Sequence, residues 1–229
     1  MAATVLSAGW TVTTAQNSMS VGQLSRASKQ RQQRQNNPYS RTNTNTAESQ
    51  SYGTFFIEYN PTTMSSDISG VKNRIYQGVT IGFNYFVPFA GSLGFDAGLK
   101  GQYFFRNKKE GSVEYKDNMF SGTVPVDLVY DWQITDGFAI APYAGVYGRF
   151  NFTAKEKEEY GGTRTTIDVF KKDQMGDNTW NRFQFGWQAG VNLRISEMMT
   201  IGGGYWMDLN ELTDHLKLHG FNITLGTNF

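Results

Sequence analysis

The two histidines of this chain, His215 and His219, stand four residues apart in HLKLH, with Glu211 upstream. On a helix that spacing would set both imidazoles on one face, as a zinc site requires. The HExxH pattern of helical zinc enzymes is missing, and the alternation that begins at Leu218 puts His219 on a strand. Two rim histidines, with no metal and no cofactor, are therefore expected. Gly202, Gly203 and Gly204 would suit a phosphate-cradling loop only if a helix followed, and none is signalled, so close approach of neighbouring strands is the better reading. No nucleophile, base and orienting carboxylate recur at a spacing that suggests a triad, so no enzyme activity is expected. The chain has no cysteine, which removes thiolate catalysis, cysteine zinc sites and disulfide frameworks.

The charged residues embedded in patterned segments are more informative. In RFQFGWQAGVNLRI, Arg182 to Ile195, one register reads Phe183, Phe185, Trp187, Ala189, Val191, Leu193, Ile195 and the other Arg182, Gln184, Gly186, Gln188, Gly190, Asn192, Arg194. Strict alternation marks a strand, since helical apolar positions recur every 3.6 residues. The bulk lies on the apolar face and the polar face holds two glycines, the reverse of a strand in a water-soluble sheet.

The same form recurs in Tyr52 to Asn60, Gly78 to Val87, Leu93 to Arg106, Met119 to Ile134, Phe138 to Phe152, Met199 to Asp208 and Leu218 to Phe229. With Arg182 to Ile195 this makes eight strands, each long enough for the ~9 to 11 residues that a tilted strand needs to cross a bilayer. The connections alternate long and short: Pro61 to Gln77, Pro88 to Ser92, Asn107 to Asn118, Thr135 to Gly137, Thr153 to Asn181, Ser196 to Met198 and Leu209 to Lys217. That rhythm predicts an all-β, eight-stranded antiparallel up-and-down transmembrane β-barrel, with both termini at the short-turn end. Pro125 and Pro142 fall inside strands, where a ladder bond is lost, and bulges or displaced strand ends are expected there.

In an inside-out barrel the apolar set faces lipid: Phe83, Tyr85, Phe95, Leu99, Tyr103, Leu128, Trp132, Phe185, Trp187, Tyr205, Phe221 and Ile223. The small and polar set faces the lumen, bringing Glu58, Asp96, Asp127, Asp131 and Asp208 together with Lys100, Arg106, Arg149, Arg182 and Arg194. Five charges of each sign nearly cancel. Eight strands enclose a space that side chains fill, which favours a charge-paired core that blocks flow. A narrow pore lined by these charges is the alternative. Trp187→Arg is expected to cost ~2 to 4 kcal/mol near the midplane and Gln188→Ala far less.

These strands, their rhythm, and the final FNITLGTNF ending on an aromatic resemble the small outer-membrane β-barrels of Gram-negative bacteria, of the OmpX and OmpA transmembrane-domain type. The resemblance covers Tyr52 to Phe229. It implies an outer-membrane location, contact with outer-membrane lipid, and recognition of Phe229 as the assembly signal by the barrel assembly machinery.

Composition agrees with a barrel. The 229 residues include 25 glycines and 15% aromatics, and the formal net charge of +1 argues against nucleic-acid binding. Mean hydropathy of -0.47 and the lack of an apolar run of about 18 residues exclude a transmembrane helix but not a barrel. Residues 1–15 read as a signal-peptide remnant, since the basic n-region of a whole one is missing. Residues 16–51, with Arg26, Lys29, Arg31, Arg34 and Arg41 among polar residues, read as a disordered basic tether that could meet an acidic surface. Residues 52–229 form the barrel domain. Three functions stay open: a structural or surface-interaction barrel whose long loops engage an extracellular ligand, a small porin or transport channel, and a soluble lipocalin-like ligand binder. The last should carry Lys and Glu on its polar face, and this chain carries Gly, Asn and balanced charges there.

Overall fold

The computed structural model describes residues 50–229 other than 69, 177, 178 and 197. The signal-peptide remnant expected at residues 1–15 and the tether expected at 16–51 lie outside the described residues, save Gln50 and Ser51, which are exposed.

Among the described residues eleven strands follow in chain order: β1 (Tyr52–Tyr59), β2 (Thr62–Ser66), β3 (Arg74–Ala90), β4 (Leu93–Glu110), β5 (Val113–Tyr130), β6 (Trp132–Thr135), β7 (Phe138–Tyr160), β8 (Thr163–Asp168), β9 (Phe183–Ile195), β10 (Met199–Asp208) and β11 (Leu216–Asn228). A helical turn, Lys172–Met175, follows β8. Antiparallel pairing runs β1, β11, β10, β9, β7, β5, β4, β3, and β3 returns to β1. Eight staves thus close into a ring, with β6 continuing the β5 stave and β2 and β8 as additions at the long-loop end. Closure satisfies the backbone of both edges, which hydrocarbon could not. At the seam Gly53 and Phe229 exchange two backbone hydrogen bonds of 3.0 Å.

The alternation of the sequence is the alternation of the wall. Along β9 the burial pattern runs exposed, buried, exposed, buried from Phe183 to Gln188. The outward face of the barrel is an apolar belt: Leu99 is 62% exposed and Phe221 61%. An apolar surface of this extent is stable against lipid, not against water. Among the described residues no helix is long and apolar enough to cross a membrane.

Three segments expected as connections are strand instead. β4 and β5 run 18 residues each and β7 runs 23, well beyond what a bilayer demands. They continue past the membrane as a sheet of β4, β5, β7 and β8. Above its base, where Asp117 and Ala154 are still buried, both faces of this extension are at least partly exposed, so its residues carry charge on both faces and the apolar alternation fades. Ion pairs Lys116–Glu114 and Arg164–Glu159, each 3.0 Å, decorate it. The hydrogen bond from Arg164 holds the Glu159 carboxyl below its usual range. Similarly, β2 lies within the segment expected as a polar connection and joins β11 to β3.

Neither proline produces a bulge. Pro142 keeps register with Val191 of β9, and its missing N–H faces the break between β5 and β6. That break includes Asp131, whose backbone N–H extends the β4–β5 register by one residue and donates to Ser92 O at 2.7 Å. At Pro125 the β4–β5 register is the same on both sides of the position. The register shifts fall at Pro88/Ala90, Phe120/Ser121 and Gln133/Thr135.

Candidate functional site

The site that the inward residues build is the barrel interior, and it is stratified. At the long-loop end, Met64, Tyr76, Phe104, Met119, Ala154, Trp206 and Leu218 of the wall pack against Val169, Trp180 and Leu212 from the connecting segments. Backbone bonds tie these segments down: Trp180 N–H donates to Val169 O at 3.0 Å, and Asn181 N–H to Leu212 O at 2.6 Å. The mouth is thus closed by an apolar plug that the alternation of the staves did not reveal.

Beneath the plug lies a polar layer. Arg149 pairs with Asp208, Tyr147 donates its hydroxyl to Asp208 Oδ1 at 2.6 Å, and the Arg149 guanidinium sits 5.1 Å from the Trp206 ring centre. Thr80 donates to Asn60 Oδ1 and Thr123 to Gln102 Oε1, both at 2.6 Å. Lower down, Lys100 meets Glu58 at 3.1 Å, and Glu58 also accepts from Thr224 at 3.2 Å. Gln188 Nε2 donates to both oxygens of Asp127, and Asn84 Nδ2 donates to Asp96. At the short-turn end Arg194 pairs with Asp131 at 2.6 Å and lies over the Tyr52 ring. Near it Phe86, Val129 and Ala141 form a small apolar floor. Such pairing is required, because an unpaired buried charge is strongly destabilising.

The inward glycines have a steric reason. A Cβ on Gly186 would collide with the Tyr147 hydroxyl, and one on Gly204 with the Tyr143 hydroxyl. Two tyrosines thus fit inside an eight-stranded wall only because facing positions carry no side chain.

Arg182 departs from the lumen set. It is exposed and precedes β9. Its Nη1 donates to Asn151 O at 3.2 Å and Phe152 O at 2.8 Å, and its guanidinium stacks 4.2 Å from the Phe170 ring centre. The cause is the bulge after Phe120, which makes Phe152 an extra residue on β7 and leaves carbonyls for Arg182 to hold. Conversely, Asp117 is an interior residue missed from the sequence. It pairs with Arg106 at 2.6 Å, and it sits in a segment whose charged composition reads as a loop. Asn84 and Gln188 were visible as inward positions, but nothing in their spacing pointed to Asp96 and Asp127 as partners.

Phe83, Tyr85, Phe95, Leu99, Tyr103, Leu128, Trp132, Phe185, Trp187, Tyr205, Phe221 and Ile223 occupy the outward register of their strands, Phe83 and Tyr205 partly covered by ring neighbours. Phe229 stacks on Phe55 and Phe83, with ring centres 5.1 and 5.9 Å away. The histidines do not converge. His219 is on the outer register of β11 beside Tyr205, and His215 Nδ1 meets Asp67 at 2.9 Å on the loops. Among the described residues no three Asp, Glu or His side chains converge on a metal-sized site, and no serine hydroxyl is hydrogen-bonded to either histidine.

Residues 16–214 match the family model described as outer membrane protein beta-barrel domain. Among curated protein sequences there is no match. Solved structures with a similar chain path include Ail, the attachment invasion locus protein of Yersinia pestis, at 15% identity and a TM-score of 0.49, covering 79% of this chain and 100% of that one. Neisserial surface protein A is similar at 14% identity and a TM-score of 0.42, over 79% and 96% of the two chains. OprG of Pseudomonas aeruginosa is similar at 11% identity and a TM-score of 0.37, over 80% and 97%. With its closed ring of eight staves and a family match over most of its length, the chain belongs to the outer membrane protein beta-barrel domain family and resides in the outer membrane.

Proposed function

We propose that this barrel is a closed, non-catalytic scaffold that holds a sheet-reinforced surface outside the cell to engage an extracellular ligand. One observation carries the reading. Val169, Trp180 and Leu212 pack into the long-loop mouth, while β4, β5, β7 and β8 rise beyond it as a continuous sheet. A protein built for passage has no use for an apolar plug, whereas a rigid base under a protruding sheet suits recognition. In this reading the apolar belt meets outer-membrane lipid and Phe229 marks the chain for the barrel assembly machinery. Nucleic acid has no part in it.

The second reading, a narrow or gated channel, draws on the polar cavity in the short-turn half of the lumen, lined among others by Asp96, Lys100, Asp127 and Asn192. Refolding the chain in detergent and recording from planar bilayers separates the two. A closed scaffold gives no reproducible conductance steps; steps that persist across preparations would overturn it. A variant with the β7–β8 hairpin shortened between Glu156 and Ile167 should keep the barrel fold and lose binding to cell surfaces.

A further inference from the structure

Where β5 and β7 leave the apolar belt, charge is sorted by sign between their two faces. Phe120 lies opposite Thr153 on the outward face, and its ring centre is 5.6 Å from that of Phe152. Met119 and Ala154, at the same level inside, pack in the plug. Above them the alternation of faces continues. Asn118 opposite Lys155 and Lys116 opposite Lys157 extend the outward face, whereas Asp117 opposite Glu156 belongs to the inner one. Both inner carboxylates are engaged there, Asp117 by Arg106 and Glu156 by Arg74, each at 2.6 Å. The first charged side chains that these two strands show above the aromatic border are therefore lysines.

These lysines are poorly compensated. Lys116 and Lys157 stand directly opposite one another, an arrangement in which like charges repel. Lys116 meets Glu114 at 3.0 Å, but the two side chains are 41% and 42% exposed, and such a pair contributes little. Among the described residues no carboxylate forms an ion pair with Lys155 or Lys157. Asp168, opposite Lys155 on β8, instead accepts from Phe170 N–H at 3.1 Å. Arg182 lies beside them, donating to Phe152 O at 2.8 Å and stacked on Phe170. The other outward carboxylate of this pair of strands, Glu159, is a row higher and bound to Arg164. A band of cations thus rests on the aromatic border of the belt, at the height where the headgroups of a bilayer begin.

We propose that this band, formed by Lys116, Lys155, Lys157 and Arg182, binds the phosphate groups of lipid headgroups in the outer leaflet. Lysine stems lie along the apolar border while their ammonium groups reach the phosphates. Neighbouring strands are ~5 Å apart and alternate residues of one strand ~7 Å apart. Lys116 and Lys157 therefore close on one phosphate, and Lys155, a row below, takes a second. A headgroup with more than one phosphate is preferred over a singly charged one. The contact seats the outward face of the protruding sheet on the membrane. Its inner face, with Tyr115 opposite Glu158, is then the one left open, whatever ligand it takes.

The test uses the full chain refolded in detergent and titrated with lipid A, a bisphosphorylated glycolipid, with retained lipid counted by native mass spectrometry. The native chain should retain the lipid, less so as salt rises, and should hold the dephosphorylated lipid far more weakly. K116Q/K157Q removes the opposed pair and should weaken retention about thirtyfold. K108Q/K109Q removes the same charge from the inner face and upper row of β4 and should leave retention unchanged. All four side chains are on the surface, and a heat-dependent shift in electrophoretic mobility reports that each barrel has folded. The proposal is overturned if the native chain retains no lipid A, if the dephosphorylated lipid is held equally, if K116Q/K157Q retains it unchanged, or if K108Q/K109Q loses as much. Displacement of the lipid by an equal concentration of inorganic phosphate would show a site for the free ion, and would overturn it as well.

Discussion

Arg149 of β7 and Asp208 of β10 form an ion pair across the barrel interior, 1% and 0% exposed, with Tyr147 donating to the same carboxylate and Trp206 beneath the guanidinium. The pair links two staves that are not ladder neighbours, since β9 stands between them. Removing one partner strands the other in a dry layer. Arg149→Met should therefore destabilise the refolded barrel by about 3 to 5 kcal/mol. Replacing both, as R149M/D208L, should recover most of that loss. Urea unfolding in lipid vesicles, run as a double-mutant cycle, measures the difference.

Adjacent residues Trp187 and Gln188 test the two faces. Trp187 lies in the outward belt toward the long-loop end of β9, and Trp187→Arg should cost about 2 kcal/mol from placing a charge in lipid. The sequence alone suggests that Gln188→Ala is nearly free. The structure revises this, because Gln188 is the donor to both oxygens of Asp127, and its loss should cost about 1 to 3 kcal/mol. The causes are separable by unfolding equilibria: Asp127→Asn in the Gln188→Ala background should restore stability and should do nothing for Trp187→Arg.

His215 and Asp67 clasp the loop before β11 to the end of β2 at 2.9 Å, and Asp67 N–H donates to His215 O at 3.3 Å. The hydrogen bond and charge of Asp67, with smaller help from Glu211 and Asp214, raise the imidazole above its usual 6.5. A raised histidine stabilises the clasp fully below its unfolded pKa and loses that contribution as pH rises through the folded value. The clasp should be closed below pH 6.5 and loosen above it. NMR titration should place the His215 midpoint above 6.5, and Asp67→Asn should bring it down.

Phe229 completes a stack with Phe55 and Phe83 next to the seam where Gly53 pairs with it. Phe229→Ala removes ring contacts worth about 0.5 to 1.5 kcal/mol each at most, and the backbone pair survives. Refolding in detergent should then be nearly normal, while the yield of assembled barrel in cells should fall sharply if Phe229 is the assembly signal. Equal loss in both assays would show a purely structural role.

The sequence by itself determined which residues face out and which face in across the staves, because a period of two is a local property of the chain and lipid rewards apolar bulk on one side. It also determined the number of staves and the end at which the turns are short. It did not determine where strands stop, since beyond the bilayer both faces of β4, β5, β7 and β8 meet water and no alternation marks them. Asp117, buried at the base of that extension, is hidden among the charged residues that follow and precede it, and Arg182 leaves the lumen because of a bulge at Phe152 that no local pattern announces. Partners were beyond reach as well. Register brings Asp127 to Gln188 and Arg149 to Asp208 across 61 and 59 residues of chain, and only closure of the ring decides which inward side chains meet. Along the staves the alternation sets the face of a side chain; the tertiary structure supplies its neighbour across the lumen, because that distance is a property of the closed barrel and of no single strand.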